Sequence, residues 1–250
     1  AAERDFYWQA MLRMWNLPKH IEHFPGPNPM SVDTADFERI RKDDFLVALK
    51  SDGVRHLLLL TCKPRTHDPI ALMIDRTKTM YEVEIWANED FYYHGALYDG
   101  ELVWEDDKLT YIVFDVVHTK GTDCIKLPYR ERMTIVHNTI LCVGDTHTDA
   151  SIETMLLDES KFCARNNPLD LLIKPKTYVH KANLKELWEE RDSCSHRNDG
   201  VIFTQNSAPI GTGTCASILK WKPSHSIDVQ VRHCKGGSWR VFANKNNSDE

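Results

Sequence analysis

The sequence has no apolar run long enough to cross a membrane. Its longest aliphatic stretch is Leu57 to Leu60, far short of the ~20 residues that a spanning helix needs. No charged segment followed by an apolar one opens the chain, so no secretory leader is expected. There is no Cys-x-x-Cys pair. The seven cysteines (Cys62, Cys124, Cys142, Cys163, Cys194, Cys215 and Cys234) are odd in number and scattered, which argues against a zinc site and for a reducing compartment. An excess of basic charge is also missing. The formal net charge of −6 excludes a uniformly basic surface, but not a local groove of Lys and Arg on an acidic whole. Internal repeats and low-complexity tracts are absent. Asn246-Asn247-Ser248 fits a glycosylation sequon, read here as chance in a cytosolic tail. The expectation is a soluble, intracellular protein.

What is present suits an ordinary globular chain. At 250 residues, 42% hydrophobic and 27% charged, it can form one large domain, or one domain with a small attachment. Such a length buries a core without disulfides or structural metals. Residues 3–16 carry Tyr7, Met11, Met14 and Trp15 at helical spacing, and Asn16-Leu17-Pro18 ends the pattern. A turn-rich stretch follows at Phe24–Pro29, then a short helix with Phe37 and Ile40. From Asp44 the period shifts towards two. Strands are predicted at Phe45–Lys50, Val54–Cys62, Ile70–Ile74, Tyr81–Trp86, Glu101–Trp104 and Tyr111–Val116, with Asp52-Gly53 as a tight turn between the first two. Residues 128–165 read as irregularly helical around a polar loop at Gly144–Thr148. Leu171–Val179 reads as a strand with Lys174 and Lys176 on one face, Leu184–Arg191 as a charged helix, and Val201–Thr204 and Ile218–Lys222 as strands. The pattern is mixed α+β, dominated by antiparallel sheet.

Chemistry concentrates in short strings. Lys50-Ser51-Asp52-Gly53-Val54-Arg55 places a lysine where a strand ends and turns. Lysine attacks phosphorus only as the neutral amine, so a catalytic Lys50 needs positive neighbours to lower its pKa. Lys220 and Lys222, spaced by two on one strand, face the same way and can supply them. The plain alternative is a hairpin turn with a solvated lysine. Asp99-Gly100-Glu101-Leu102 and Asp199-Gly200-Val201-Ile202-Phe203 place carboxylates at strand starts, as a divalent metal on triphosphate oxygens requires. Each could equally be a simple Asp-Gly turn. Lys174 and Lys176 fit an exposed strand face, and Asp145, His147 and Asp149 a solvated loop. His196 and Cys194 beside Asp199 lack a further pair for zinc. Trp8 and Trp15 read as core, and Glu189–Asp192 as a wet helix end.

Taken in order with Leu219-Lys220-Trp221-Lys222-Pro223, these strings resemble the covalent nucleotidyltransferase superfamily, and within it the guanylyltransferase of mRNA capping enzymes. Lys50–Arg55 resembles the nucleophile motif and Asp99–Leu102 the third motif. Tyr111–Asp115 resembles the aromatic-acid motif, Asp199–Phe203 the fourth and Leu219–Lys222 the fifth. Phe24–Ser31 and Ile74-Asp75-Arg76 resemble capping-specific segments, with Asn28 where the family usually has Gln. The likeness spans roughly residues 24–230.

The resemblance implies a nucleotidyltransferase fold of α+β class, with antiparallel sheets around a nucleotide cleft and the C-terminal OB-fold largely missing. Residues 1–223 would form that domain, and 224–250 the start of a truncated OB-fold or a linker, since Ser226–Val229 resembles the lead into that fold. It implies that Lys50 takes GMP from GTP, while Arg55 and Glu101 contact the ribose. Phe114 would stack on guanine, Lys176 face its carbonyl oxygen, and Asp199 hold Mg²⁺ or Mn²⁺. Lys220 and Lys222 would bind the α-phosphate. GMP would pass to the 5′-diphosphate end of RNA. A longer capping enzyme with triphosphatase and methyltransferase modules is implied, in the nucleus, or in the cytoplasm for a virus replicating there. The rival readings are an ATP-dependent polynucleotide ligase and a non-catalytic nucleotide- or RNA-binding module.

Overall fold

The computed structural model describes residues 2–142, 160–164, 171–224, 229–234 and 237–243. The predicted loop with Asp145, His147 and Asp149, the Ser226–Asp228 string and the sequon lie outside the described residues. In chain order the elements are α1 (Ala2–Met14), β1 (Asn28–Ser31), α2 (Asp36–Lys42), β2 (Phe45–Ser51), β3 (Val54–Cys62), β4 (Pro69–Asp75), β5 (Met80–Val83), β6 (Ile85–Ala87), α3 (Asp90–Tyr93), β7 (Ala96–Glu105), β8 (Lys108–Thr119), β9 (Thr122–Asp123), α4 (Tyr129–Thr139), β10 (Phe162–Ala164), β11 (Leu172–Pro175), β12 (Val179–His180), α5 (Leu184–Glu189), β13 (Asn198–Gln205), β14 (Thr214–Trp221), β15 (Val229–His233) and β16 (Trp239–Ala243).

Two sheets carry the molecule. The larger runs β11-β8-β7-β3-β4-β5, with β9 on β8, and the smaller runs β1-β14-β13-β2-β12. Pairing is antiparallel except for β11 on β8 and β1 on β14. The larger sheet is covered on both faces, which explains why Leu57–Leu60 does not alternate with polar residues. Leu57 and Leu59 join Tyr7, Trp8, Met11 and Trp15 of the α1 region. Leu58 and Leu60 join Tyr98, Tyr111, Phe162 and the α4 residues Tyr129, Met133 and Val136. In the smaller sheet, Phe45, Val47, Val201, Phe203 and Leu219 pack on one side with Trp188 and Leu187 of α5. The alternate residues, among them Leu46, Ala48, Ile202, Thr204 and Ile218, face a cleft between the sheets. Trp8 and Trp15 are core, as read from the sequence.

Several predicted elements are corrected. Asp52-Gly53 does not close a hairpin: β2 belongs to the smaller sheet and β3 to the larger, so the chain crosses between sheets there. The predicted strand at Leu171–Val179 splits likewise, into β11 on the larger sheet and β12 on the smaller, on either side of Lys176. Tyr81–Trp86 divides into β5, paired with β4, and β6, paired with β10. Of the region read as helical, α4 is helix but Phe162–Ala164 is strand. The turn-rich stretch holds β1, whose Pro29 sits at a register shift on a sheet edge, where a missing N–H is tolerated. Asp99-Gly100 lies inside β7 rather than at its start, whereas Asp199-Gly200 opens β13 as its second and third residues, as the sequence suggested. Both strands show register irregularities there. β15 and β16 pair with each other, antiparallel, as a two-stranded sheet.

Candidate active site

Lys50 stands one residue before the end of β2, on the cleft side of the alternation, just before the chain crosses between sheets. Gly53 makes that crossing possible through close approach. A Cβ there would collide with the Leu102 carbonyl and the Val103 side chain. The Gly53 N–H also bonds the Glu101 carboxylate. Burial pushes the Glu101 carboxyl up, against the pull of Lys176 and Lys50. The nucleophile string and the third motif are thus locked together by backbone contact.

Lys50 Nζ lies 2.9 Å from Asp199 Oδ1, and Lys222 Nζ 2.5 Å from Asp199 Oδ2. Burial works to raise the Asp199 carboxyl, but the Lys222 and Lys50 ammoniums outweigh it and hold it below the usual range. Asp199 Oδ1 is itself shielded from solvent and faces the Lys50 ammonium. Gly200 brings this carboxylate close to β14, since a Cβ would strike the Trp221 carbonyl. Lys222 therefore engages Asp199 here, with the carboxylate between it and Lys50. Lys220 lines the cleft itself.

Arg55 is the most constrained of the predicted residues. Its Nε and Nη2 donate to the two Asp99 oxygens at 2.9 and 2.5 Å, and Nη1 donates to the Pro27 carbonyl at 2.5 Å. Phe24 and Phe114 each stand 5.4 Å from the guanidinium. Burial lowers the Arg55 pKa, but the Asp99 carboxylate more than reverses this. Burial pushes the Asp99 carboxyl up against the pull of Arg55, yet bidentate geometry requires the carboxylate, so the pair is ionised. Asp99 is therefore taken by Arg55 and is no metal ligand, contrary to the sequence reading of its segment. Three of the five Arg55 N–H donors are used, which leaves two for a ligand.

Phe114 is held from behind. Tyr129 Oη donates to its carbonyl at 3.0 Å, and the next residue, Asp115, receives Arg132 at 2.7 and 3.1 Å. Arg76 reaches Asn28 Oδ1 at 3.4 Å, bringing the two capping-specific segments together.

Lys176 follows β11 and is buried rather than part of an exposed strand face. Burial lowers its pKa to about 8. Its Nζ donates to Ser51 Oγ, which lies 2.8 Å from His196 Nε2. His196 Nδ1 lies 2.6 Å from Glu105 Oε1, and Lys174 Nζ 2.5 Å from Glu105 Oε2. Ser51 and Glu105 were invisible as site residues in the sequence. Glu105 shares strand parity with Glu101, which is the signal that could have found it. Both ring nitrogens of His196 are engaged by these partners, and Cys194 Sγ stands 3.5 Å from Nδ1.

Lys50, Arg55, Glu101, Phe114, Lys176 and Lys220 thus line one cleft of about 490 Å³, and Asp199 and Lys222 join it through Lys50. A cleft lined by Lys50, Lys176 and Lys220, by the Phe114 ring and by the Glu101 carboxylate suits a purine nucleotide and its phosphates. Among the described residues no helix is long and apolar enough to cross a membrane.

Known proteins with similar sequences agree. The mRNA-capping enzyme subunit alpha of Schizosaccharomyces pombe is 30% identical over 224 residues, covering 84% of this chain and 53% of that protein. The mRNA-capping enzyme subunit alpha of Kluyveromyces lactis is 29% identical, covering 88% and 50%. The chain spans about half the length of these curated relatives. The solved structure named Pmar-Lig_PreS3 has a TM-score of 0.50 at 14% identity, covering 94% of this chain and 54% of that one, a likeness of fold. The family profile described as mRNA capping enzyme, catalytic domain, matches residues 3–224, and with the site assembled as above the chain belongs to that family.

Proposed function

We propose that this chain is an mRNA guanylyltransferase that takes GMP from GTP onto Lys50 and passes it to the 5′-diphosphate end of RNA. The observation that carries the reading is the convergence of Lys50, Lys220, Lys176, Phe114 and Glu101 on one cleft. In the first half-reaction the neutral Lys50 amine forms a bond to the α-phosphorus. The bond from that phosphorus to the oxygen bridging to the β-phosphate breaks, pyrophosphate leaves with the electron pair, and the amine proton is lost to solvent. In the second, a terminal phosphate oxygen of RNA attacks the same phosphorus, and the lysine regains its proton as the N–P bond breaks. Lys50 must leave Asp199 before it can attack. Lys220, together with Lys222 once freed from Asp199, would stabilise charge developing on the phosphate oxygens.

Phe114 offers its ring to guanine, and Lys176 donates to the carbonyl oxygen at the base's 6-position. The free donors of Arg55 and the carboxylate of Glu101 address the ribose. The donor set fits a divalent metal: Asp199 is a carboxylate beside the cleft whose partners are two lysine ammoniums, positive charges that a cation would replace once those lysines turn to phosphate. Mg²⁺ is commonly held by one or two carboxylates plus substrate phosphates. Bound there, Mg²⁺ or Mn²⁺ would supply positive charge against the triphosphate. An intracellular, reducing setting fits seven free cysteines. RNA, and fused or associated triphosphatase, methyltransferase and OB-fold modules, are the proposed partners.

Intact-mass measurement after incubation with GTP and Mg²⁺ tests the reading. A gain of one GMP is expected, absent in Lys50→Ala and absent with ATP. A stable GMP adduct on Lys50→Ala would show that another residue is the nucleophile.

A further inference from the structure

The contacts behind Lys176 form a directed chain of hydrogen bonds. Lys176 donates to Ser51 Oγ, so the Ser51 hydroxyl hydrogen is free to go to His196 Nε2, 2.8 Å away. That requires His196 to carry its proton on Nδ1, where Glu105 Oε1 accepts it at 2.6 Å. Glu105 is in turn fixed by Lys174 at 2.5 Å and by the Ser195 hydroxyl at 2.7 Å. Each group has one role in this chain, and all the donors point the same way.

Burial lowers the His196 pKa and the nearby lysines lower it further, against the opposing pull of Glu105. This agrees with a neutral ring. The chain joins β2 of the smaller sheet to β7 and β11 of the larger, and it ends on a lysine facing the cleft.

We propose that His196, clamped by Glu105, positions Lys176 through the Ser51 hydroxyl, and that this relay sets how strictly the cleft distinguishes a 6-oxo from a 6-amino purine. The proposal rests on the reading of Lys176 as the guanine-facing lysine. A lysine side chain is a flexible stem carrying a point charge, and nothing in its own geometry aims its donors. Glu101 is the strongest charge attracting Lys176, and it competes for the ammonium. Ser51 holds one donor away from Glu101, and the remaining donors are thereby aimed. Ser51 can do this only while its own hydrogen has an acceptor, which His196 Nε2 provides. His196 is a positioning residue in this scheme: it touches no substrate and acts through Ser51.

The test is calorimetric binding of GTP and of 2,6-diaminopurine riboside triphosphate to the full chain. Both nucleotides carry the 2-amino group, ribose and triphosphate, and they differ along the edge that Lys176 faces. The wild type should prefer GTP. In Ser51→Ala and His196→Ala that preference should fall on the order of tenfold, the size carried by one misdirected hydrogen bond to a charged group. His196→Gln should restore part of it, because an amide can still accept from Ser51. A merely structural role for the network would weaken both nucleotides in parallel and leave the ratio unchanged. That outcome in both alanine variants, with melting curves showing folded protein, overturns the relay while sparing the guanine reading. A wild type without preference overturns the guanine reading itself, and the relay with it.

Discussion

Two ionic clusters in this molecule are built from the same parts and end in opposite states. In each, the aspartate of an Asp-Gly pair faces a cation from the segment Lys50–Arg55. Asp99 and Arg55 are closed in, with side-chain exposures of 2% and 9%, bidentate contact and two aromatic rings 5.4 Å from the guanidinium. Asp199 and Lys50 are exposed by 30% and 22%, and Asp199 shares its charge with Lys222. The closed pair has no room to exchange partners, so it works as a strut tying β3 to β7 and to the Phe24–Pro29 segment. The open cluster can exchange a lysine for a phosphate or a metal. A carboxylate near a lysine is therefore not one kind of feature, and exposure decides which kind it is.

The largest effect that would sharpen this contrast is on folding. Asp99→Ala strands a buried guanidinium, and breaking such a pair costs about 3–5 kcal/mol. Urea denaturation should show that loss. Asp199→Ala should cost no more than ~1 kcal/mol of stability, as partly exposed pairs do. Adduct formation with GTP should nevertheless fall on the order of 10²–10³, typical for losing one electrostatic group from a reacting centre. Equal destabilisation by the two variants would erase the distinction drawn between strut and exchangeable cluster.

A third carboxylate, Glu105, extends the comparison to acid pH. Burial works to raise it, but Lys174, Ser195 and His196 outweigh this and bring it from 4.5 to about 2. A depressed carboxyl contributes stability that is complete above its unfolded value, and loses it as pH falls through the folded one. The loss belongs to the window from about 4.5 down to about 2. Glu105→Gln should flatten the acid limb of the stability curve there. An unchanged limb would mean that the lysine, serine and histidine contacts of Glu105 do not survive in solution.

Much of the site was legible because its chemistry sits in short contiguous strings. Lys50–Arg55, Asp99–Leu102, Asp199–Phe203 and Leu219–Lys222 can each be recognised within a few residues, and their order is informative. The helix at the N-terminus and the strands read at Phe45–Lys50, Val54–Cys62 and Tyr111–Val116 followed from the apolar pattern, which local burial imposes, though the last extends to Lys108–Thr119 in the structure. What stayed hidden was pairing. Asp52-Gly53, Asp99-Gly100 and Asp199-Gly200 all resemble hairpin turns, yet the first crosses between sheets and the others lie within strands. Their glycines are required by neighbours distant in sequence, as when the Trp221 carbonyl excludes a Cβ at Gly200.

The sequence by itself determined the residue types at the cleft and the apolar faces of the strands, since both depend on near neighbours along the chain. Only the tertiary structure decided that the chain changes sheets beside both Lys50 and Lys176, and that Asp99 is taken by Arg55 while Asp199 stays open. It alone brought Ser51, Glu105 and His196 together. The reason is physical: alternation records which face of a strand is buried, but not which strand lies beside it, and that choice is made by contacts between residues far apart in the chain.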